Sequence, residues 1–172
     1  PVTSPSLASV IKELQTAYPA MQWHQWCPSG AGGAFKGAQM AFGAPVNTMY
    51  AFDKATVVVS LASDFLCMGP ASVRNARDFV AARRVRKPGD TMNRLYVIEA
   101  DFTGTGGVAD HRIPLRSAEM EDFARALAAQ VGAGGGGGNT PSGDSAAAIS
   151  AIAKDLQANR GASVVIAGDE QP

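Results

Sequence analysis

Residues 56–61 (TVVVSL) are the feature of this sequence that most limits its fold. The run is almost entirely apolar and rich in β-branched side chains, which favour strands. A strand with one face in water alternates apolar and polar residues, whereas a strand buried on both faces reads as a nearly unbroken apolar run. We therefore predict a central strand of a parallel sheet that helices cover on both faces.

The rest of the chain alternates strand-like and helix-like segments. Further strands are predicted over residues 21–26 (MQWHQW), 94–99 (RLYVIE) and 163–167 (SVVIA). Helices are predicted from Ser4-Pro5 to about Tyr18, over about 34–42, from Gly69-Pro70 into the basic run 83–87, from Ser117 through Leu127, and from Asp144 through Leu156. The alternation predicts an α/β fold, a three-layer, mainly parallel Rossmann-like sheet of about four strands with helices on both faces.

The composition fits one domain that neighbours cover. Of the 172 residues, 46% are hydrophobic and only 17% are charged, an unusually low charged fraction for a small protein in water. We predict a single α/β domain over residues 1–172, with a flexible glycine-rich loop at 132–143. Because the last predicted strand ends close to the last residue, we expect the domain to be a fragment of a longer chain.

Charge and cysteine content exclude several classes of function. The 15 basic and 15 acidic residues cancel, so nothing favours nucleic acid or an anionic membrane as a partner. No apolar run reaches the roughly 18 residues of a membrane-spanning helix. Cys27 and Cys67 lack further ligands at metal spacing, so no metal site is predicted, and we favour buried thiols over a disulfide between them. No motif specifies a catalytic residue.

Ligands of parallel α/β sheets bind beyond the carboxyl ends of the strands. The loops of interest are therefore 27–33, 62–69, 99–107 and 168–172. The glycine turn at 30–33 fits close packing better than a phosphate contact, because the G-x-G-x-x-G spacing is absent. Glu99, at the end of a predicted strand, suits two interpretations: an acceptor for ribose hydroxyl groups, or a solvated strand end.

Neither histidine is predicted to be catalytic. His111 is the immediate neighbour of Asp110, and adjacent residues do not face inward together as a catalytic pair. We favour a structural cap or salt bridge for Asp110. His24 lies between two tryptophans and is interpreted as a structural or interface histidine.

A more specific pattern extends over ATVVVSLASDFLCMGPASVRNARDFVAARR, which begins at Ala55, and MNRLYVIEADFTGTGGVADHRIPLRSAEMEDFARALA, which begins at Met92. This pattern resembles the molybdopterin oxidoreductase superfamily. It is most similar to the cofactor-less molybdopterin-like region in the large iron–sulfur subunit of alternative complex III, a bacterial quinol:cytochrome c oxidoreductase whose subunit is often described as an iron–sulfur hydrogenase. The resemblance covers residues 45–131 well, and 22–43 and 162–172 less closely. The positions that match the family's cofactor-binding turns are Ser63, Asp64, Glu99, Thr103, Thr105, Asp110 and Gly168.

The resemblance implies a non-catalytic domain that scaffolds electron transfer in a membrane-bound quinol-oxidising respiratory complex. It also implies iron–sulfur clusters elsewhere in the parent chain, no molybdopterin, no cofactor in this piece, and a bacterial location at the periplasmic face of a membrane. The partners would be the remaining domains of the same chain and the other subunits, with no nucleic acid and no direct membrane span.

One departure from the family weakens cofactor binding. Ala100 and Asp101 follow Glu99 where the family has an arginine, and an added carboxylate repels a pyrophosphate by roughly a kcal/mol in a partly dry site. The alternative is a fragment of an active molybdopterin-dependent oxidoreductase that contributes half of a guanine-dinucleotide pocket. An unrelated nucleotide-binding module is a third possibility.

Overall fold

The structure, a computed structural model, describes residues 4–26, 32–44, 46–134, 138–139 and 141–169. The chain divides into two compact units, Pro1–Gly30 and Ala31–Pro172. Cys27 and residues 30 and 31 of the predicted glycine turn lie outside the described residues.

Over its described residues, 4–26, the first unit contains the helix α1 at Pro5–Ala17. Ser4 caps it as predicted, because the Ser4 hydroxyl accepts a hydrogen bond from the N–H of Leu7. The strand predicted over residues 21–26 is wrong, since these residues have irregular backbone. Their alternating pattern suggested a strand with one buried face. However, Trp23 and Trp26 are 47% and 86% exposed, so these residues lack the buried face that would stabilise a strand.

The second unit is built on a four-stranded parallel sheet. The strands are β1 (Val57–Leu61), β2 (Arg94–Glu99), β3 (His111–Pro114) and β4 (Ser163–Ala167), in the order β3-β2-β1-β4. The predicted α/β Rossmann-like fold is confirmed, and so are β1, β2 and β4. β3 was not predicted, because its sequence HRIP is polar and ends in proline, and it becomes a strand only by pairing with β2.

Helices cover both faces of this sheet. α3 (Ser72–Ala81) packs on one face, and α5 (Met120–Val131) and α6 (Asp144–Ala158) pack on the other. The unit also contains α2 (Gly33–Phe42) and the short helix α4 (Gly104–Gly107). On one face, Val57, Val59 and Ile98 pack with Phe123 of α5 and Ile152 of α6. On the other face, a second cluster joins Phe79 of α3 to residues of β1, β2, β4 and the segments directly before and after β1: Phe52, Ala55, Val58, Phe65, Leu95, Val97 and Ile166. The fully buried β1 carries side chains of both clusters, as its unbroken apolar run predicts.

The chain changes direction within the sheet between β1 and β4. It proceeds outward from β1 to β2 and β3, then returns through α5 and α6 to add β4 on the other side of β1. Such a switch point, at the carboxyl ends of the strands, is where open α/β sheets bind ligands.

One helix prediction and one loop prediction need correction. α3 ends at Ala81, so the basic run 83–87 follows the helix instead of closing it. Directly after the helix, Arg83 pairs with Asp110, which precedes β3. The segment predicted as a glycine loop at 103–107 contains the short helix α4, which Thr103 caps by accepting a hydrogen bond from the N–H of Gly106.

Candidate functional site

The carboxylate of Glu99 lies buried at the carboxyl end of β2, with only 3% of its side chain exposed. Arg112 of β3 donates from Nε to Glu99 Oε1 over 2.6 Å, and the Thr103 hydroxyl donates to Oε2 over 2.6 Å. Both carboxylate oxygens are therefore held by the protein. The interpretation of Glu99 as a solvated strand end is wrong, because β3 and α4 close over it.

Gly106 is required beside this carboxylate. A Cβ at Gly106 would fall far inside van der Waals distance of Glu99 Oε1 and of the carboxyl carbon. The glycine therefore permits α4 to approach the Glu99 carboxylate.

Asp64 and Thr105 join the loop after β1 to α4. Asp64 Oδ1 accepts hydrogen bonds from the N–H of Thr105 at 2.9 Å and from its hydroxyl at 2.6 Å. The same hydroxyl oxygen accepts a bond from the N–H of Leu66 over 3.2 Å. Thr105 is fully buried, so these bonds fix the two loops to each other.

The switch point between β1 and β4 has a close backbone contact. Ala62 adopts a left-handed conformation with φ of 52°, which is costly for a residue with a Cβ. Gly168 donates its N–H to the carbonyl of Leu61 over 2.9 Å, and a Cβ there would collide with the carbonyl oxygen of Ala62. Ser63 closes the turn by donating its N–H to the hydroxyl of Ser60.

Asp110 lies at the amino edge of the sheet, opposite the carboxyl edge that contains Glu99. It precedes β3, and its carboxylate accepts bonds from both Nη atoms of Arg83, at 2.8 and 2.6 Å, and from the N–H of Leu95. The predicted structural salt bridge is confirmed. The Arg83 hydrogen bonds lower the pKa of Asp110 from its ordinary value.

The structure thus brings four of the seven matched positions close together. Asp64, Glu99, Thr103 and Thr105 form one cluster around α4. Ser63 and Gly168 lie at the neighbouring switch point, and Asp110 stands apart from all of them.

Arg112 is the site residue that sequence reasoning missed. Besides its pair with Glu99, its guanidinium carbon lies 5.0 Å from the centre of the Phe102 ring, a cation–π contact. Nothing in a single sequence links residues 99 and 112, because their contact depends on the β2–β3 register. A signal existed only in the polar residues within HRIP, which suit an exposed edge strand.

Cys67 is free and exposed, so the expectation of a buried thiol is wrong for it. The sulfur lies against Gly104, where a Cβ would collide with Sγ. Desolvation, followed by the charge and hydrogen bond of Asp64, raises the pKa of Cys67. Its thiol is therefore less readily ionised than an ordinary cysteine.

The described part of the chain offers no evident metal site. Within the described ranges, no group of three His, Cys, Asp or Glu side chains is arranged to hold a metal ion. An open hollow of about 530 Å³ lies at the amino edge of the sheet, where Asp53, Lys54, Arg84 and Asp90 balance in charge. For the same described part of the chain, no helix combines the length and apolar character that crossing a bilayer requires.

Comparisons with known proteins give no family for this chain. No protein-family model matches the sequence, and no curated protein matches it. The molybdopterin oxidoreductase relationship remains a prediction that rests on the residues of the two stretches starting at Ala55 and Met92.

Proposed function

We propose that this chain is a non-catalytic molybdopterin-oxidoreductase-like domain of an iron–sulfur redox subunit. It would scaffold electron transfer in a membrane-bound quinol-oxidising respiratory complex, at the periplasmic face. The observation that carries the non-catalytic part is the internal use of the Asp64 and Glu99 carboxylates, which stand at strand ends where an active relative would contact its cofactor.

Glu99 is poorly placed to receive a sugar. A ribose hydroxyl would have to displace the Thr103 hydroxyl or the Arg112 guanidinium from a side chain that is only 3% exposed. Breaking a charge-assisted hydrogen bond in a buried site costs about 1.5–3 kcal/mol. A single new hydrogen bond from a ribose hydroxyl at best offsets this cost, so the exchange yields no net binding energy. The favoured role of Glu99 is therefore to hold β2, β3 and α4 together.

The charge of the carboxyl edge also disfavours a pyrophosphate. The described loops there carry Asp64, Glu99, Asp101 and Asp169 against Arg112 and Arg116. The Arg112 charge is already paired with Glu99. An anionic cofactor would meet net negative charge, which opposes binding at this edge.

The surface supports a role among neighbours. Several large apolar side chains are more than two thirds exposed, and they are distributed over both units: Trp26, Met40, Phe42, Met49, Met68, Val73 and Phe102. Other domains of the parent chain or other subunits would cover such residues. The proposal places the iron–sulfur clusters in those other parts and includes no molybdopterin.

The alternative is half of a guanine-dinucleotide pocket in an active molybdenum enzyme. One observation favours it: the left-handed Ala62 and the close contact of Gly168 lie at the switch point, and backbone strain is concentrated at ligand sites.

Purification from the native host separates the two functions. The tagged full-length protein is isolated from detergent-solubilised membranes, and iron and molybdenum are measured per chain. Scaffolding predicts a membrane complex with iron and without molybdenum. Molybdenum at one atom per chain would establish the alternative, and a protein found outside the membranes without iron would overturn the scaffold proposal. The isolated chain should show no calorimetric heat of binding with GDP, the probe for the guanine half of the cofactor; micromolar binding would contradict the non-catalytic assignment.

A further inference from the structure

We propose that the solvent face of α3 and the turn after it bind the surface of an anionic lipid bilayer. This basic face is defined by six exposed residues: Val73, Arg77, Val80, Arg84, Arg86 and Lys87. The inference goes beyond the proposed function, which concerns protein neighbours. Its test uses lipid vesicles and not the metal content of a complex, so either proposal can fail without the other.

Positive charge is unevenly distributed along a chain whose overall charge is zero. Residues 73–87 contain six of the 15 basic residues and a single acidic residue, Asp78. Arg74 and Arg77 both pair with the Asp78 carboxylate and therefore share one negative charge. Arg83 is paired on the inner side, as described above. The helix itself thus keeps a net positive charge on its solvent face.

The turn after α3 adds three cations. Arg84, Arg86 and Lys87 are all exposed, and none of them forms an ion pair among the described residues. Their charges are therefore available to an anionic partner.

Two carboxylates near these cations offset only part of their charge. Asp90 Oδ2 accepts hydrogen bonds from the backbone N–H groups of Arg86 and Lys87, at 3.0 and 3.2 Å, and not from their side chains. Asp53 is the neighbour of Lys54 in the hollow at the amino edge, and these two charges cancel. The basic face therefore remains net positive.

Apolar and basic side chains alternate along the basic face. Val73, Arg77 and Val80 recur at helical spacing on α3, and Arg84 continues the series just after the helix. Val73 is 84% exposed and the Arg77 side chain 73% exposed. Basic side chains attract the phosphates of anionic headgroups, and apolar side chains between them gain shallow burial in the headgroup region. The face therefore has both components of binding to an anionic bilayer.

The surroundings of α3 favour a bilayer over an acidic protein segment. A bound peptide helix lies in a groove, and a bound peptide strand pairs with a sheet edge. α3 packs on the sheet and on the turn Phe52–Lys54, and in the described part of the chain no other helix packs closely along it. A second wall for a groove is therefore lacking. A bilayer surface requires only that cations and apolar side chains be exposed together.

Vesicle sedimentation of the purified 172-residue chain tests this binding. We expect the chain to bind phosphatidylcholine vesicles that contain about 30% phosphatidylglycerol at about 50 mM salt, where charges are weakly screened. Pure phosphatidylcholine vesicles should leave it in solution. About 500 mM salt should release it from the anionic vesicles, because screening shortens the reach of the charges.

A matched pair of double variants separates the basic face from overall charge. R86Q/K87Q should weaken binding to the anionic vesicles about 25-fold, since each basic residue close to such a surface contributes about five-fold. The control R116Q/K154Q removes the same charge from exposed positions after β3 and on α6, which covers the opposite side of the sheet. The control should change the affinity by no more than about two-fold. All four side chains are exposed, so thermal unfolding should be unaltered in both variants.

Three outcomes would overturn the proposal. Equal losses in the two double variants would mean that binding follows overall charge, and equal binding to neutral vesicles would mean that the cations are not responsible. Soluble polyglutamate is the probe for an acidic protein segment. Calorimetric binding of polyglutamate without any binding to the anionic vesicles would assign the basic face to an acidic protein instead of lipid.

Discussion

Arg112 Nε lies 2.6 Å from Glu99 Oε1, so a side chain from the edge strand β3 pairs with the buried carboxylate that ends β2. The pair joins neighbouring strands near the carboxyl edge of the sheet, and Thr103 extends it to α4 through the second carboxylate oxygen. The result is a cross-link of three elements at the carboxyl edge, where open α/β sheets bind their ligands.

Arg112→Leu should destabilise the fold. The substitution leaves the Glu99 carboxylate buried without its cation, and removing one partner of a buried pair costs about 3–5 kcal/mol. Because 27% of the Arg112 side chain is exposed, we expect a smaller loss, about 2 kcal/mol, in the urea-induced unfolding free energy. Arg116→Leu is the control: Arg116 is exposed, and its removal should change stability by no more than about 0.5 kcal/mol. Equal losses for both variants would contradict a special role for the pair.

Gly106→Ala and Gly107→Ala should differ sharply although they are neighbours in α4. The Gly106 Cβ would collide with the Glu99 carboxylate, whereas the Gly107 Cβ would meet Phe102 Cζ at an ordinary 3.6 Å. Overpacking of this kind costs about 1–3 kcal/mol, so thermal unfolding of Gly106→Ala should occur at a clearly lower temperature. Gly107→Ala should be neutral or slightly stabilising, because alanine favours helices. A neutral Gly106→Ala would show that Glu99 has room to move.

Asp64→Asn should make Cys67 react faster with iodoacetamide at neutral pH. The Asp64 charge and hydrogen bond contribute to the raised pKa of Cys67, and only the thiolate is alkylated. The measurement is the alkylation rate against pH in a Cys27→Ser background, and its midpoint should move to lower pH in the variant. Asp101→Asn, at an exposed carboxylate in the neighbouring loop, serves as the control and should leave the profile unchanged. An unaltered midpoint in Asp64→Asn would leave desolvation as the sole cause.

The predicted parts of this fold are those whose signal is local. β1, β2 and β4 were predicted because each contains an apolar run, which indicates a strand without knowledge of its neighbours in the sheet. β3 exists because β2 offers it a hydrogen-bonded edge, and residues 21–26 have a strand-like alternation without such an edge. The local pattern therefore missed a real strand at β3 and predicted a false one at 21–26. In both cases the outcome depends on pairing with a neighbouring strand, which a local pattern does not contain.

The candidate site shows the same limit. Glu99 was singled out as the end of a predicted strand, and it is the last residue of β2. Asp64, matched through the resemblance, lies in the loop after β1, which ends at Leu61. Their partners were not predicted, since Thr105 is 41 residues from Asp64, and Arg112 reaches Glu99 only through the pairing of two strands. Sequence located the carboxylates, but the contacts that decide their role depend on strand register.

The pair between Arg83 and Asp110 should make stability depend on pH in the acid range. Arg83 hydrogen bonds, with help from the N–H of Leu95, lower the pKa of Asp110 below its ordinary value of 3.8. A lowered folded-state pKa means that the unfolded chain takes up the proton first as pH falls. The stabilisation is complete above about pH 5 and is lost progressively as pH falls from the ordinary pKa through the lowered one.

Asp110→Asn should therefore cost about 1–2 kcal/mol at neutral pH, and its deficit should shrink towards pH 3 in urea unfolding. Asp101→Asn should instead run parallel to the unaltered protein at every pH, because Asp101 is exposed and forms no ion pair among the described residues. A constant deficit for Asp110→Asn from pH 7 to pH 3 would mean that the ionised carboxylate does not hold Arg83.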